Sequence, residues 1–151
     1  MKEEKTMPHQ NPSNEKRRQL LEEAKTIAVV GLSNKPDRTS YMVSEAMQQN
    51  GYRIIPVNPV IAGETVLGEK AVASLAEIGE PVDIVNVFRR SEEIMPVAED
   101  TLKMKHKPNA FWLQQGIVNE AAAALVEQQG IEAIMDLCIK VDHALQRVGK
   151  K

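Results

Sequence analysis

Cysteine is nearly missing from this chain: 151 residues contain one, Cys138. A single thiol excludes an internal disulfide and a cysteine-rich zinc cluster, and it suits a reducing compartment. An excess of charge of one sign is missing too. The 19 Lys and Arg against 21 Asp and Glu leave a formal net charge of -2, which argues against nucleic acid or an anionic membrane as a partner held by a strong overall field. Any basic site must therefore be local. Met1 to Arg18 is polar and charged without an apolar core, so neither a signal peptide nor a membrane span is expected there. The expectation is a soluble, cytoplasmic protein of one domain, long enough to bury a core without disulfide or metal.

What is present is an alternation of two periods. "SNEKRRQLLEEAK" reads as a helix capped by Ser13 or Asn14, with Leu20, Leu21 and Ala24 as a narrow apolar stripe. Residues 1–13 carry Pro8, Pro12, His9 and little apolar material, and are expected to form a flexible arm ahead of a domain at 14–151. "TIAVVGLS" is continuous, apolar and β-branched, as in a strand covered on both faces. "TSYMVSEAMQQNG" switches to helical spacing, with Thr39 or Ser40 as N-cap and Gly51 just past its end. "YRIIPVNP" predicts a second strand, a run near Lys70 to Val72 a short third followed by a helical turn, "VDIVNVF" a fourth, "NAFWLQQG" a fifth and "IEAIMDL" a sixth. Helices are expected at "SEEIMPVAEDTLKM", with Pro96 in its first turn or at a kink, and at "NEAAAALVEQQG", opened by Asn119 and closed by Gly130. The fold class is α/β: right-handed crossovers into an open parallel sheet of five to six strands with helices on both faces.

Ligands of such sheets bind outside the C-terminal ends of the strands, where the strand order reverses. The first of these ends, in "VVGLSNKPDRTSYMV", lacks what a dinucleotide fingerprint demands. Glycines would stand at 31, 33 and 36, but Gly31 is followed by Ser33 and Pro36. The acidic ribose partner expected about twenty residues on is missing as well, because the second strand ends in Val57, Asn58 and Pro59. The loop is instead basic and hydroxylated, with Ser33, Lys35, Arg38, Thr39 and Ser40 at the mouth of a helix. Guanidinium forks, hydroxyls and helix N-termini all recognise phosphate oxygens; the alternative is that Lys35 and Arg38 are solvated loop charges. Arg89 and Arg90 follow the fourth strand at the same edge. At least one is expected to face the crevice, the other pairing with Glu92 or Glu93.

In this order "VVGLSNKPDRTS", "GYRIIPVNP", "GE", "DIVNVFRR", "WLQQGI" and "MDLC" resemble the small stand-alone CoA-binding proteins of bacteria and archaea. Those are in turn similar to the N-terminal CoA-binding domain of the succinyl-CoA synthetase α subunit. The resemblance runs from about Thr26 to the C-terminal helix. It implies a Rossmann-like sheet with CoA or acyl-CoA over its C-terminal edge. Gly31, Leu32, Ser33, Pro36, Arg38 and Ser40 would face the phosphates, and Val57, Asn58, Pro59, Phe88 and Arg89 would shape the nucleotide pocket. A CoA site needs one close backbone approach plus cations for a 3'-phosphate and a diphosphate, so the missing glycines are dispensable. One departure stands out: the family commonly carries an Arg where this chain has Leu137.

No catalytic constellation is apparent. His9, His106 and His143 have no metal spacing and read as surface histidines. The CoA-ligase relatives also need a phosphohistidine domain and a nucleotide-grasping subunit, for which this chain has no room. Cys138 is either a thiol near the CoA sulfur or a small buried apolar group. Trp112 offers a ring for base stacking or a core side chain. Gln114 and Gly116 are candidates for pocket lining, and Asp83 and Asp136 for orienting groups at the sheet edges. The resulting expectation is a CoA-binding module acting as carrier, sensor or regulator. Two alternatives remain: an NAD(P)- or other nucleotide-dependent enzyme on the same fold, or an interaction module using an exposed "FWL" or N-terminal helix surface. Partner proteins and self-association stay open.

Overall fold

A computed structural model of the chain describes residues 8–151, and Met1–Met7 of the expected arm lie outside it. The chain runs through α1 (Asn14–Glu23), β1 (Thr26–Val30), α2 (Thr39–Gln49) and β2 (Arg53–Val57). A hairpin of β3 (Thr65–Val66) and β4 (Glu69–Lys70) follows. Then come β5 (Ile84–Val87), α3 (Ile94–Leu102), β6 (Ala110–Leu113), α4 (Glu120–Glu127), β7 (Glu132–Ile134) and α5 (Ile139–Leu145). Five strands form one parallel sheet in the order β2-β1-β5-β6-β7. The chain leaves β1 toward β2 and later returns to β1's other side with β5, so the order reverses between β1 and β5.

The apolar runs have no polar alternation because both faces are covered. Ala28, Val30, Val85, Val87, Phe111 and Leu113 pack with Ile94, Val97, Ala98 and Val126 of α3 and α4. Their neighbours Ile27, Val29, Ile84, Ala110 and Trp112 pack with Leu20, Leu21, Val43, Met47 and Ile139 of α1, α2 and α5. Phe111, Trp112 and Leu113 are all 0% exposed, which overturns the exposed "FWL" surface of the interaction reading. A strand in the middle of a doubly covered sheet has no free face.

The expected third strand does not join the sheet. Leu67 (φ 52°) and Gly68 (φ 81°) both adopt left-handed backbone, the signature of a two-residue hairpin turn. Glu69 and Lys70 are thereby folded back onto Val66 and Thr65, and only Val72 reaches the sheet, through one parallel bridge to Val57. The caps of α1 and α4 are as expected: the Ser13 hydroxyl accepts from Lys16 N, and Asn119 Oδ1 from Ala122 N. Pro96 sits in the first turn of α3.

Residues 8–13 lie against the domain. The Asn11 side-chain amide accepts from Met135 N through Oδ1 (2.8 Å) and donates to Met135 O through Nδ2 (2.9 Å), holding the segment to the backbone just past β7. His9 is correspondingly drawn in, with Nδ1 3.4 Å from Glu127 Oε2. His143 also departs from the surface position expected of it. It is buried edge-on to Tyr52, with ring centroids 5.7 Å apart, and Nε2 has no partner. Only His106 is exposed.

Burial, and secondarily the Lys151 ammonium, pushes the His143 pKa below its ordinary value of 6.5. The fold prefers the neutral ring, so this contribution is complete above the ordinary imidazole range and is lost as pH falls below it. Thermal unfolding between pH 7 and pH 5 is expected to show a smaller drop in Tm for His143→Leu than for the wild type.

Candidate functional site

The site forms where the strand order reverses, from the loops after β1, β2 and β5. Gly31 leaves β1 with φ +88° and donates its N–H to Val57 O at 2.8 Å, tying the first loop to the end of β2. A Cβ at Gly31 would lie 2.5 Å from Phe88 O and 3.2 Å from Arg89 Cδ. Glycine is needed here because the end of β5 and the Arg89 stem occupy the space of a side chain. Asn58 ties the same two loops from below: its Nδ2 donates to Leu32 O (3.1 Å) and its Oδ1 accepts from Val60 N (3.0 Å).

Beyond Gly31 the loop is held by its own hydroxyls. Ser33 N donates to Ser40 Oγ and Lys35 N to Ser33 Oγ, each at 3.0 Å. This corrects the expected cap of α2. Arg38 occupies the N-cap position with no side-chain cap bond, and Ser40 is turned toward the loop. The first amides of α2 have no intrahelical acceptor and point, with the positive end of the helix dipole, toward the loop's mouth.

Two clefts flank the Gly31 seam. One, of about 510 Å³, is lined by Gly31, Ser33, Lys35, Arg38, Thr39, Ser40 and Phe88. The other, of about 380 Å³, lies on the α3 side; Val30, Val57, Pro59 and Leu75 form its wall, and Arg89, Glu92, Glu93 and Asp100 its polar rim. Most of the residues singled out in the sequence therefore converge on these clefts. Leu32 departs from that set, being fully buried among the residues of α1, α2 and α5, with only its backbone at the loop. Pro36 is exposed and lines neither cleft, and Asn58 acts through its hydrogen bonds. Sequence reasoning missed Ser74, Pro96, Val97 and Asp100 of the second cleft. Ser74 arrives through the Val57–Val72 bridge, and the others through the register of α3, neither of which any local motif announces.

The two clefts differ in charge: cations at the α2 side, three carboxylates around one guanidinium at the α3 side. Arg89 Nε lies 3.3 Å from Glu93 Oε1, and Arg90 Nη2 lies 2.9 Å from Glu93 Oε2. The hydrogen bond from Arg90 holds the Glu93 carboxyl below the usual carboxylate range. Arg90 pairs with both Glu92 and Glu93, as expected of one of the two arginines, while Arg89 lines the cleft.

The remaining candidates separate. Asp83 sits at the opposite sheet edge, its Oδ2 accepting from Lys25 N and Thr26 N. Asp136 adopts φ 61° and accepts from Gly116 N at 2.6 Å, closing the turn after β6. Gln114 Oε1 accepts from Ile139 N at the start of α5, and Trp112 Nε1 donates to Leu137 O at 2.9 Å, which places Trp112 in the core. Leu137 lines a third pocket with His9, Glu120 and Asp136, apart from both clefts. Cys138 is half-buried at the start of α5. No group of three metal-ligating side chains converges among the described residues, and no helix there is long and apolar enough to cross a membrane.

The chain is similar to known proteins in sequence and in fold. A CoA-binding domain family model matches residues 25–144. The chain belongs to that family. YneT, an uncharacterized protein of Bacillus subtilis (strain 168), is 56% identical over 138 residues, 91% of this chain and 99% of its own. The solved structure of cell-free ID.343 from Thermus thermophilus superposes with a TM-score of 0.85 at 37% identity, covering 89% of this chain and 99% of that one. A hypothetical protein from Pyrococcus horikoshii OT3 superposes with a TM-score of 0.84 at 28% identity, covering 97% and 99%. The family match spans all five strands of the sheet and both clefts.

Proposed function

We propose that this protein binds CoA or acyl-CoA across the two clefts and serves as a carrier, sensor or regulator without reacting groups of its own. The observation that carries this reading is the uncapped start of α2, with Lys35, Arg38 and the three hydroxyl residues Ser33, Thr39 and Ser40 around one cleft, at the point where the strand order reverses. Phosphates are held there by N–H donors, a helix dipole and two cations together. The apolar wall of the second cleft suits the nucleoside part, with Val57 and Pro59 against the base. Membership of a CoA-binding family supports the choice of CoA over other phosphorylated ligands.

The test is thermal unfolding with CoA, dephospho-CoA, NAD and NADP. At a hundredfold excess over Kd, a ligand binding only the native state adds about 2.7 kcal/mol, or roughly 5–10 °C for a domain of this size. CoA is expected to give such a shift and dephospho-CoA a smaller one. A larger shift with NADP would favour a nucleotide-dependent enzyme on this fold, and no shift with any of the four would leave the clefts without a nucleotide role.

A further inference from the structure

We propose that Glu93 is a built-in competitor for a phosphate of the ligand: it is shared by Arg89 and Arg90 in the free protein and is left to Arg90 alone when CoA binds. The inference rests on the CoA reading above. Each oxygen of one carboxylate is engaged by a different guanidinium, Oε1 by Arg89 at 3.3 Å and Oε2 by Arg90 at 2.9 Å. The two arginines are not equivalent. Arg89 lines the second cleft, and its Cδ lies beside Gly31, which lines the first. Arg90 is 74% exposed, lines neither cleft, and also reaches Glu92 at 3.7 Å.

The longer contact is the one that a phosphate can replace. A guanidinium fork prefers a doubly charged phosphate oxygen pair to a single carboxylate contact. Breaking a carboxylate's only partner is costly, but Glu93 keeps Arg90 and is not stranded. Arg89 is thus available to a polyanion and shielded from weaker anions, which makes Glu93 a determinant of selectivity.

Calorimetric titration of CoA into four proteins tests this. Glu93→Gln is expected to bind CoA about two- to fivefold more tightly, the size of an exposed ion pair released. Arg90→Ala is expected to bind about twofold more weakly, because Glu93 then rests on Arg89 alone. The double variant should follow Glu93→Gln, since without the carboxylate Arg90 has nothing to receive. Opposite signs for the two single variants distinguish the exchange from a structural role, in which both losses would act in the same direction. Wild-type binding with no gain in Glu93→Gln would overturn the exchange and leave the CoA reading standing. Absence of CoA binding in every variant would overturn both.

Discussion

Gly31→Ala is expected to destabilise the domain by about 3 kcal/mol and to abolish CoA binding at concentrations that saturate the wild type. Two costs add. A side chain at φ +88° is strained whatever surrounds it. Beyond that, the new Cβ would meet the Phe88 carbonyl at 2.5 Å, and backbone cannot rotate away as a flexible side chain would. Relief requires β1 and β5 to part at their C-terminal ends, which opens the seam between the clefts and moves Arg89 with it. Gly116→Ala is the control: it shares a positive φ of 85° but has nothing within 4 Å of its Cβ. It should cost only the conformational term, about 1–2 kcal/mol. Urea unfolding of both variants checks the argument. Equal costs would mean that close approach plays no part at Gly31.

The second large effect lies in the layer of α1, α2 and α5. Arg17 reaches from α1 to Asp142 of α5 in a two-bond contact, Nε to Oδ2 at 3.0 Å and Nη2 to Oδ1 at 3.3 Å. Their side chains are 12% and 4% exposed. Removing the guanidinium leaves a carboxylate whose remaining side-chain donor is Gln146 Nε2, at 3.2 Å. A buried charge deprived of its partner costs about 3–5 kcal/mol, so Arg17→Ala is expected to lower Tm by roughly 10 °C. The loss comes from the stranded charge, so Arg17→Met combined with Asp142→Leu should cost much less than Arg17→Ala alone. If the double variant were the less stable of the two, the pair would be stabilising the fold outright.

The sheet was legible in the sequence because its central strands are apolar runs without polar alternation, which suit a parallel sheet covered on both faces. They are broken only by Asn86 of β5, whose buried amide donates to Trp112 O. The third strand misled because a strand and a hairpin arm look alike over three residues; the left-handed pair Leu67 and Gly68 decided between them. Within the site, Lys35, Arg38 and Arg89 could be found from their places after strands. The roles of Asn58 as a tie between loops and of Ser40 as an acceptor for Ser33 depend on contacts across 26 and 7 residues, which no local pattern encodes. His143 was misread for a related reason. Its burial follows from the docking of α5 on α2 and Tyr52, and a polar residue in a short helix carries no sign of which neighbour it will meet.

The central claim, that the start of α2 receives the phosphates of CoA, is tested most directly by titrating CoA and dephospho-CoA into the wild type and into Arg38→Ala. A charged hydrogen bond contributes about 1.5–3 kcal/mol, so losing the 3'-phosphate should weaken wild-type binding about tenfold or more. In Arg38→Ala the two ligands should bind nearly alike, because the phosphate has lost its partner. A wild type that does not bind CoA, or the same ratio between the two ligands in both proteins, would contradict the account.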